Sequence, residues 1–299
     1  MVLSVHTPWE EIAWNGIRFL APPDWEIGQI GNQYLMLEQA SAPILEMKWG
    51  HIRGTFSHRT YFQRLAVLQK GQPGNTFSEY TLPGNWEKAL GSYEAIGFSW
   101  RGETIGGKGL ILYCPTCMNA TLIQFYQNDN AKTDTIPQHL LATFQDHRPD
   151  DQMRWSVFDI RATMPANLKI VRYRFEAGQF ELAFASKAHT IFLTRWGPAS
   201  ILLADRNLDR FAESVLHLPA TKLVTTLTPG KQAVVEWINP ATPNSLTQWL
   251  GRMKIKPSLQ RLRLWHLTGK NRILGVRAEG KRPIDLQFFE NICAGFESV

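Results

Sequence analysis

The sharpest chemical motif in the sequence is Cys114-Pro115-Thr116-Cys117, which lies between two apolar segments, 109–114 and 121–127. Both segments are typical of β-strands, so we expect the motif to form the turn of a hairpin. Two cysteines on such a turn direct both sulfurs towards one ion, as in half of a zinc knuckle. The sequence therefore predicts a metal half-site at Cys114 and Cys117.

Tetrahedral zinc needs four ligands, and the sequence contains no second Cys-x-x-Cys and no His-x-x-x-His. Completing the site requires distant residues such as His139, His147 or Cys293, or the same hairpin of a second subunit. Two other interpretations of the cysteine pair remain open. The first is a redox dithiol, although such pairs stand at a helix N-terminus and here a strand follows. The second is two ordinary thiols in a turn.

A second set of candidate residues lies in the second half of the chain. Arg172 and Arg174 share one face of a strand, and so do Arg261, Arg263 and Trp265, because side chains alternate along a strand with period two. A face of arginines and aromatics can clamp a nucleic acid or an acidic peptide. The alternative is the solvated face of an amphipathic sheet. Because the basic residues are dispersed, nucleic-acid binding is possible but not favoured.

The sequence offers no complete catalytic constellation. It has no Gly-x-Ser-x-Gly elbow and no dinucleotide-binding fingerprint. The glycines of segment 106–109 precede a strand rather than a helix, and they lack the spacing of a phosphate-binding loop. We therefore predict no catalytic residues and no cofactor other than a possible zinc ion. The sequence leans against an enzyme.

Composition places the chain among globular proteins, with 44% hydrophobic and 19% charged residues. It has 3 cysteines, which suits a reducing compartment rather than a disulfide framework. No apolar run is long enough for a transmembrane helix, and the N-terminus lacks the features of a signal peptide. We expect a cytoplasmic protein. Residues 1–150 carry 11 Lys and Arg against 14 Asp and Glu, whereas residues 151–299 carry 21 against 12. The second half is therefore basic.

The order of segments in the first half recurs in the second half. Ile17-Arg18 with Pro22 recurs as Ile160-Arg161 with Pro165. The tripeptide 48–50, Lys-Trp-Gly, recurs as Arg-Trp-Gly at 195–197, and segment 140–144 matches 292–296. A repeat of this length indicates a duplicated domain rather than a solenoid unit. We predict a first domain over 1–148, a linker over 149–156 and a second, basic domain over 157–299.

Each half reads as strands, a helix, further strands and a closing helix. Ser57 and Asn207 are expected to cap the two middle helices, and the closing helices are expected over 137–144 and 284–296. An additional helix is expected over 245–253. Antiparallel strands with one apolar face and helices to cover it predict an α+β sandwich in each half.

Segment 16–25, Gly-Ile-Arg-Phe-Leu-Ala-Pro-Pro-Asp-Trp, resembles the opening strand, proline and tryptophan of the Mog1/PsbP-like fold. The middle helix and the closing helix that ends at Phe144 are similar to that fold's order of elements. Segment 158–165 resembles a second, more diverged copy, with Leu168 where the first has Trp25. The resemblance implies a tandem pair of α/β/α sandwiches. It also implies binding rather than catalysis, because the family consists chiefly of adaptor and assembly proteins without a shared catalytic set.

These observations predict a non-enzymatic binding or adaptor protein with a protein partner. The alternative is a zinc-binding protein whose site is structural or shared across a dimer. A thiol redox protein and a nucleic-acid binder that uses the basic second domain are the further alternatives.

Overall fold

The structure is a computed structural model that describes residues 8–70, 75–127, 135–147, 150–216, 223–227, 233–238 and 258–299. The chain divides into two compact units. The first unit consists of Met1–Pro149 with Ser156–Phe158, and the second consists of Asp150–Trp155 with Asp159–Val299. Within the described ranges, no helix is both long enough and apolar enough to cross a membrane.

The first unit is built on an antiparallel sheet of seven strands in the order β3-β4-β5-β9-β8-β7-β6. A hairpin, β1 and β2, precedes this sheet. The elements along the chain are β1 (Glu10–Trp14), β2 (Ile17–Ala21), β3 (Glu26–Gly31), β4 (Tyr34–Gln39), β5 (Ala42–His51), α1 (His58–Lys70), β6 (Thr76–Tyr80), α2 (Gly84–Leu90), β7 (Glu94–Arg101), β8 (Gly106–Cys114), β9 (Asn119–Gln127) and α3 (Thr135–Thr143).

The second unit is built on a sheet of the same kind, with seven antiparallel strands in the order β12-β13-β14-β18-β17-β16-β15. The elements from the start of β10 onwards are β10 (Gln152–Val157), β11 (Ile160–Pro165), β12 (Lys169–Glu176), β13 (Gln179–Ala185), β14 (His189–Trp196), α4 (Ala199–Leu202), α5 (Leu208–Leu216), β15 (Val224–Leu227), β16 (Ala233–Ile238), β17 (Ser258–Leu267), a 3₁₀ turn (Thr268–Lys270), β18 (Arg272–Gly280), α6 (Leu286–Ala294) and β19 (Phe296–Ser298).

The two sheets have the same strand order, position for position, and the expected α+β class is confirmed. Apolar side chains alternate with polar ones along the strands, so each sheet offers an apolar face to a helix. In the first unit, Ser57 caps α1 as expected, with its Oγ 3.3 Å from the amide nitrogen of Thr60. In the second unit, α5 packs Phe211 into a cluster with Trp196, Trp237 and other buried residues.

The ends of each unit are tied to its first strands in the same way. Arg18 in β2 exchanges two main-chain hydrogen bonds of 2.8 Å with Gln145, which follows α3. In the second unit, Arg161 in β11 lies opposite Glu297 in β19, which follows α6. This pairing fixes the chain directly after the closing helix. It therefore positions residues 145–147 in the first unit.

One pair of repeated tripeptides in the sequence does not occupy equivalent positions in the two sheets. Trp49 faces the β1–β2 hairpin, where its Nε1 donates to the main-chain oxygen of Asn15 at 3.0 Å. Trp196 instead lies on the face of its sheet that α5 covers, with its ring 5.5 Å from that of Phe211. Because successive strand residues point to opposite faces, the two tripeptides at 48–50 and 195–197 do not occupy equivalent positions.

The second closing helix is shorter than expected over 284–296. It ends at Ala294, and Phe296 begins β19, which pairs with β11. Phe144 likewise follows the last residue of α3, Thr143. The additional helix expected over 245–253 lies outside the described residues.

Candidate metal centre

The motif Cys114-Pro115-Thr116-Cys117 forms the tight connection between β8 and β9. Cys114 ends β8 and pairs with Asn119, the first residue of β9. Met118 adopts a left-handed conformation with φ 58°, and its amide nitrogen donates to the main-chain oxygen of Cys114 at 2.8 Å. A left-handed residue before the second strand closes such a four-residue loop. The hairpin brings the two sulfurs within 4.8 Å of each other.

The corresponding connection in the second unit shows that the turn does not need the cysteines. The 3₁₀ turn Thr268–Lys270 joins β17 to β18, and Leu267 pairs with Arg272 across it. Asn271 is left-handed there, with φ 55°, as Met118 is in the first unit. The same loop geometry therefore forms without any sulfur, and turn formation does not explain the cysteines of the first unit.

The segment after α3 brings two further donor groups to the hairpin. The main-chain bridge between Arg18 and Gln145 places Asp146 and His147 beside the turn. The Asp146 side chain is only 2% exposed, and its Oδ1 accepts a 3.0 Å hydrogen bond from the Tyr93 hydroxyl. Its amide nitrogen donates to the same hydroxyl, and its main-chain oxygen accepts from Nδ2 of Asn119. These contacts hold the residue and its carboxylate in place beside the hairpin.

The four side chains form one compact cluster. The Sγ of Cys114 lies 3.4 Å from Nδ1 of His147, and the Sγ of Cys117 lies 3.3 Å from Oδ2 of Asp146. All four ligand atoms lie within 4.8 Å of one another. A tetrahedral zinc ion with bonds of about 2.0–2.3 Å separates its ligand atoms by roughly 3.3–3.8 Å. The pairs of ligand atoms that involve a sulfur lie within 4.8 Å and need only small movements to fit such an ion. The 2.7 Å hydrogen bond between Nδ1 of His147 and Oδ1 of Asp146 has to open when the ion binds.

Hydrogen bonds from a thiol and a phenol hold the Asp146 carboxylate when no metal ion is bound. Burial raises the pKa of the Cys117 thiol, and the negative charge of Asp146 raises it further. A hydrogen bond with the backbone of Asn119 lowers this pKa but does not outweigh the other two effects. The protonated thiol donates to the Asp146 carboxylate. Burial and Asp146 also raise the pKa of Tyr93, which remains a donor to the carboxylate. A bound metal ion would replace the thiol protons, so metal binding would release protons.

Of the residues expected to complete the half-site, the structure brings His147 to the cysteines. His139 in α3 lies against the ring of Trp9, with a centroid separation of 4.1 Å. Cys293 belongs to α6 of the second unit, where burial raises its pKa to about 12. Asp146 is not among the residues predicted from the sequence. The signal available was the pair Asp146-His147 directly after the closing helix.

Arg172 and Arg174 lie on β12, an edge strand of the second sheet, and both are exposed. Each contacts a carboxylate, Arg172 with Glu181 at 2.7 Å and Arg174 with Glu176. Arg172 also lies over the ring of Phe192, 5.7 Å from its centroid. These two arginines are available to a partner, although their charges are balanced by neighbouring acids.

Arg261 and Arg263 lie against α6, and Trp265 packs against Phe296 at the start of β19, so the three do not form an open face. Both Arg263 Nη atoms contact the Glu290 carboxylate, at 2.5 and 2.7 Å, and its Nε contacts Glu236. Arg261 lies over the ring of Phe289, 5.2 Å from its centroid. Trp265 is 9% exposed. The structure does not bring these three together with Arg172 and Arg174.

No protein-family model matches the chain, and no curated protein matches it. Among solved structures, a mutant of the protein Mog1 matches at 6% identity with a TM-score of 0.31, over 48% of this chain and 98% of that chain. The apo immunity protein TplEi of the T6SS from Pseudomonas aeruginosa matches at 12% identity with a TM-score of 0.39, over 98% of both chains. A chain of the Tle4–Tli4 complex matches at 10% identity with a TM-score of 0.38, over 97% of both chains. The expected resemblance to Mog1 is confirmed as a weak one, at the level of the fold.

Proposed function

We propose that this chain is a non-enzymatic binding protein whose first domain is stabilised by a zinc ion. The observation that carries the proposal is the cluster of Cys114, Cys117, Asp146 and His147, whose ligand atoms lie within 4.8 Å of one another. The ion would join the β8–β9 hairpin to the segment that follows α3. These two parts of the chain are otherwise linked here by single hydrogen bonds, such as the one from Asn119 to Asp146.

The donor set favours zinc over other common ions. Two thiolates and an imidazole are soft or borderline ligands, which suit zinc and exclude magnesium and calcium. A single carboxylate is also common among zinc ligands. Because a carboxylate beside two thiolates holds negative charge in a buried place, a divalent cation offsets the cost of their desolvation.

The number of protein ligands favours a structural ion over a catalytic one. Catalytic zinc keeps a coordination position open for water or substrate, whereas structural zinc has four protein ligands. This cluster supplies all four. A dithiol enzyme is less well supported, because strand β9 follows Cys117 and, among the described helices, none begins at either cysteine.

We further propose that the chain contains two domains of common origin, 1–148 and 157–299, joined through 149–156. The identical order of strands in the two seven-stranded sheets supports this. The matching ties of Arg18 and Arg161 to the chain after the closing helix also support it. The metal ligands belong to the first domain alone, since the equivalent turn in the second has Thr268, Gly269 and Lys270.

The binding part of the proposal is a protein partner in the cytoplasm. Three free cysteines suit a reducing compartment, where a thiolate pair stays available to a metal. Val171, Arg172 and Arg174 are exposed on the edge strand β12, where an extended segment of a partner could add to the sheet. A nucleic acid is less well supported, because each of these arginines already contacts a carboxylate.

Native mass spectrometry of the untagged protein tests the proposal. We expect one zinc ion per chain, lost on acid denaturation, and no zinc in the Cys117→Ser variant. Cys293→Ser is the matched control, because it removes a buried thiol outside the cluster and should keep the ion. A wild-type mass without metal after growth in zinc-supplemented medium would refute the zinc site.

A further inference from the structure

The two sulfurs of the metal centre differ in their access to solvent. Cys114 is 2% exposed, whereas Cys117 is only partly buried and sits on a turn whose other residues, Pro115 and Thr116, are exposed. The His147 side chain beside them is 37% exposed. One sulfur can therefore be reached by a small solute while the other is shielded.

We propose that the centre is a peroxide-sensitive switch in which a hydroperoxide converts Cys114 and Cys117 into a disulfide and releases the zinc ion. The inference rests on the proposed zinc site and adds a mode of regulation to it. Cys117 is the thiolate that the oxidant meets first, and Cys114 is the residue that resolves the intermediate.

The chemistry balances with the hydroperoxide as the only oxidant. The Cys117 thiolate attacks the hydroperoxide, the O–O bond breaks, and the products are a sulfenic acid and an alcohol after one proton is taken from water. The Cys114 thiolate then attacks the Cys117 sulfur, the S–O bond breaks, and hydroxide leaves as water after taking a second proton. Two thiolates lose two electrons, and the hydroperoxide gains them.

The geometry restricts the oxidation product to this pair. The chain has 3 cysteines, and the third, Cys293, lies in α6 of the second unit and is 8% exposed. The sulfurs of Cys114 and Cys117 lie within 4.8 Å of each other on one short loop, so side-chain rotation with a small movement of the loop brings them to the about 2.05 Å of a disulfide. A disulfide sulfur carries no charge and is a poor ligand for zinc, so the ion leaves.

Release of the ion removes its coordination bonds and leaves the hydrogen bonds around the loop in place. The loop keeps the hydrogen bond from Met118 to Cys114, and Gln145 keeps its main-chain pairing with Arg18. Asp146 keeps the hydrogen bond that it accepts from the Tyr93 hydroxyl. The oxidised state therefore weakens the attachment of the hairpin to residues 146–147, where the hydrogen bond from Asn119 to Asp146 remains, without unfolding the sheet.

Titration of the zinc-loaded protein with hydrogen peroxide tests the switch. Zinc release is followed with a chromophoric chelator, and peptide mapping follows the disulfide. We expect one zinc released per Cys114–Cys117 disulfide, with rebinding after reduction by dithiothreitol. Dimedone added during oxidation should trap the sulfenic acid on Cys117 ahead of Cys114. The Cys293→Ser variant is the control, and it should release zinc at the same peroxide dose.

The outcomes separate this inference from the zinc site itself. Protein that holds no zinc before peroxide is added refutes the proposed function and the switch together. Protein that holds zinc, but keeps it until the cysteines reach sulfinic or sulfonic acid, refutes the switch alone. Trapping on Cys114 ahead of Cys117, or loss of the response in Cys293→Ser, also refutes it.

Discussion

At the scale of single residues, the proposed metal centre depends on Asp146 as well as on the cysteine hairpin. The hairpin supplies two sulfurs, and Asp146 and His147 supply the other two donor atoms. The cysteine pair was visible in the sequence because its spacing is a local pattern. Asp146 was not, because its role depends on a main-chain bridge between Arg18 and Gln145, residues far apart in sequence.

The Asp146→Asn variant should bind zinc at least about ten-fold more weakly than the wild type. An amide oxygen can still accept from Tyr93, but it lacks the charge that favours a divalent cation. Competition with a zinc chelator of known affinity measures the change. Asp151→Asn, an exposed carboxylate elsewhere, is the control. Equal affinity of wild type and Asp146→Asn would remove Asp146 from the ligand set.

A second buried carboxylate, Glu46 in β5, illustrates a polar group that is held by its own neighbours. It is 8% exposed and accepts from the Tyr126 hydroxyl at 2.7 Å and from Gln124 Nε2 at 3.1 Å. Lys48 Nζ lies 2.7 Å from its other oxygen. Glu46 and Lys48 share one face of β5 because they are two residues apart, whereas Tyr126 of β9 reaches Glu46 only through the pairing of β5 with β9.

Tyr126→Phe should lower the free energy of unfolding by about 1.5–3 kcal/mol, because it removes a hydrogen bond to a buried charge. Urea denaturation at neutral pH measures the loss. Tyr61→Phe serves for comparison, since the Tyr61 ring packs on Phe56 and should keep that contact. A Tyr126→Phe loss no larger than the Tyr61→Phe loss would contradict the assigned role of the hydroxyl.

At the scale of elements, the sequence predicted which segments are strands better than it predicted which residues match between the halves. Segments 109–114 and 121–127 were predicted as strands and form β8 and β9, because strand character is a local property of the sequence. The repeated Lys-Trp-Gly and Arg-Trp-Gly tripeptides suggested equivalence, yet Trp49 and Trp196 face opposite sides. A register shift of one residue turns every side chain of a strand to the opposite face of the sheet. Sequence similarity between two short segments does not reveal such a shift.

The N-terminus of α6 is capped by Asp285, whose Oδ1 accepts from the amide nitrogen of Phe288 at 2.8 Å. Asp285→Ala should therefore cost about 1 kcal/mol of stability. The exposed neighbour Gln287→Ala should change it by less than about 0.5 kcal/mol. Thermal denaturation of both variants measures the difference, and equal midpoints would show that the cap contributes nothing.

At the scale of the whole molecule, the two units share a strand order but differ in the contacts that fix the segment after the closing helix. The second unit extends that segment as β19, paired with β11 over Ile160, Arg161 and Ala162. The first unit has a single bridge, Arg18 to Gln145, followed by Asp146 and His147. In the first unit, a metal ion would hold the segment after the closing helix. In the second unit, the additional pairing of β19 with β11 holds the equivalent segment.

This comparison predicts that removal of zinc affects the first unit alone. After treatment with a chelator, amide hydrogen exchange should become faster in segments 114–119 and 145–147. Exchange in the equivalent hairpin of the second unit, β17 and β18, should stay the same. Faster exchange across both units would mean that the ion stabilises the molecule in another way.

The second unit contains a cluster of ion pairs in which Asp159 contacts both Arg195 and Arg272. Both Asp159 oxygens lie 2.9 Å from the Arg195 Nε, and Arg272 Nε lies 2.9 Å from Oδ2. Burial alone would raise the pKa of Asp159, but the hydrogen bonds from both arginines outweigh it and lower that pKa. A lowered pKa stabilises the fold above the unfolded value, and the contribution is lost as the pH falls through the folded value.

Asp159→Asn should therefore lower the free energy of unfolding by about 1–3 kcal/mol at neutral pH. The gap between variant and wild type should narrow below about pH 4, where the unfolded carboxylate takes up a proton. Urea denaturation at several pH values measures both effects. Asp205→Asn, at an exposed carboxylate outside this cluster, is the control. A gap between Asp159→Asn and the wild type that stays constant at low pH would contradict the assignment.

The most direct test of the zinc centre is X-ray absorption spectroscopy at the zinc K-edge on the purified protein. We predict a first shell of two sulfur atoms at about 2.3 Å and two nitrogen or oxygen atoms at about 2.0–2.1 Å. The Cys117→Ser variant, which we expect to hold no zinc, should show no protein-bound zinc edge. A wild-type shell of nitrogen and oxygen alone would place the metal elsewhere and contradict the account.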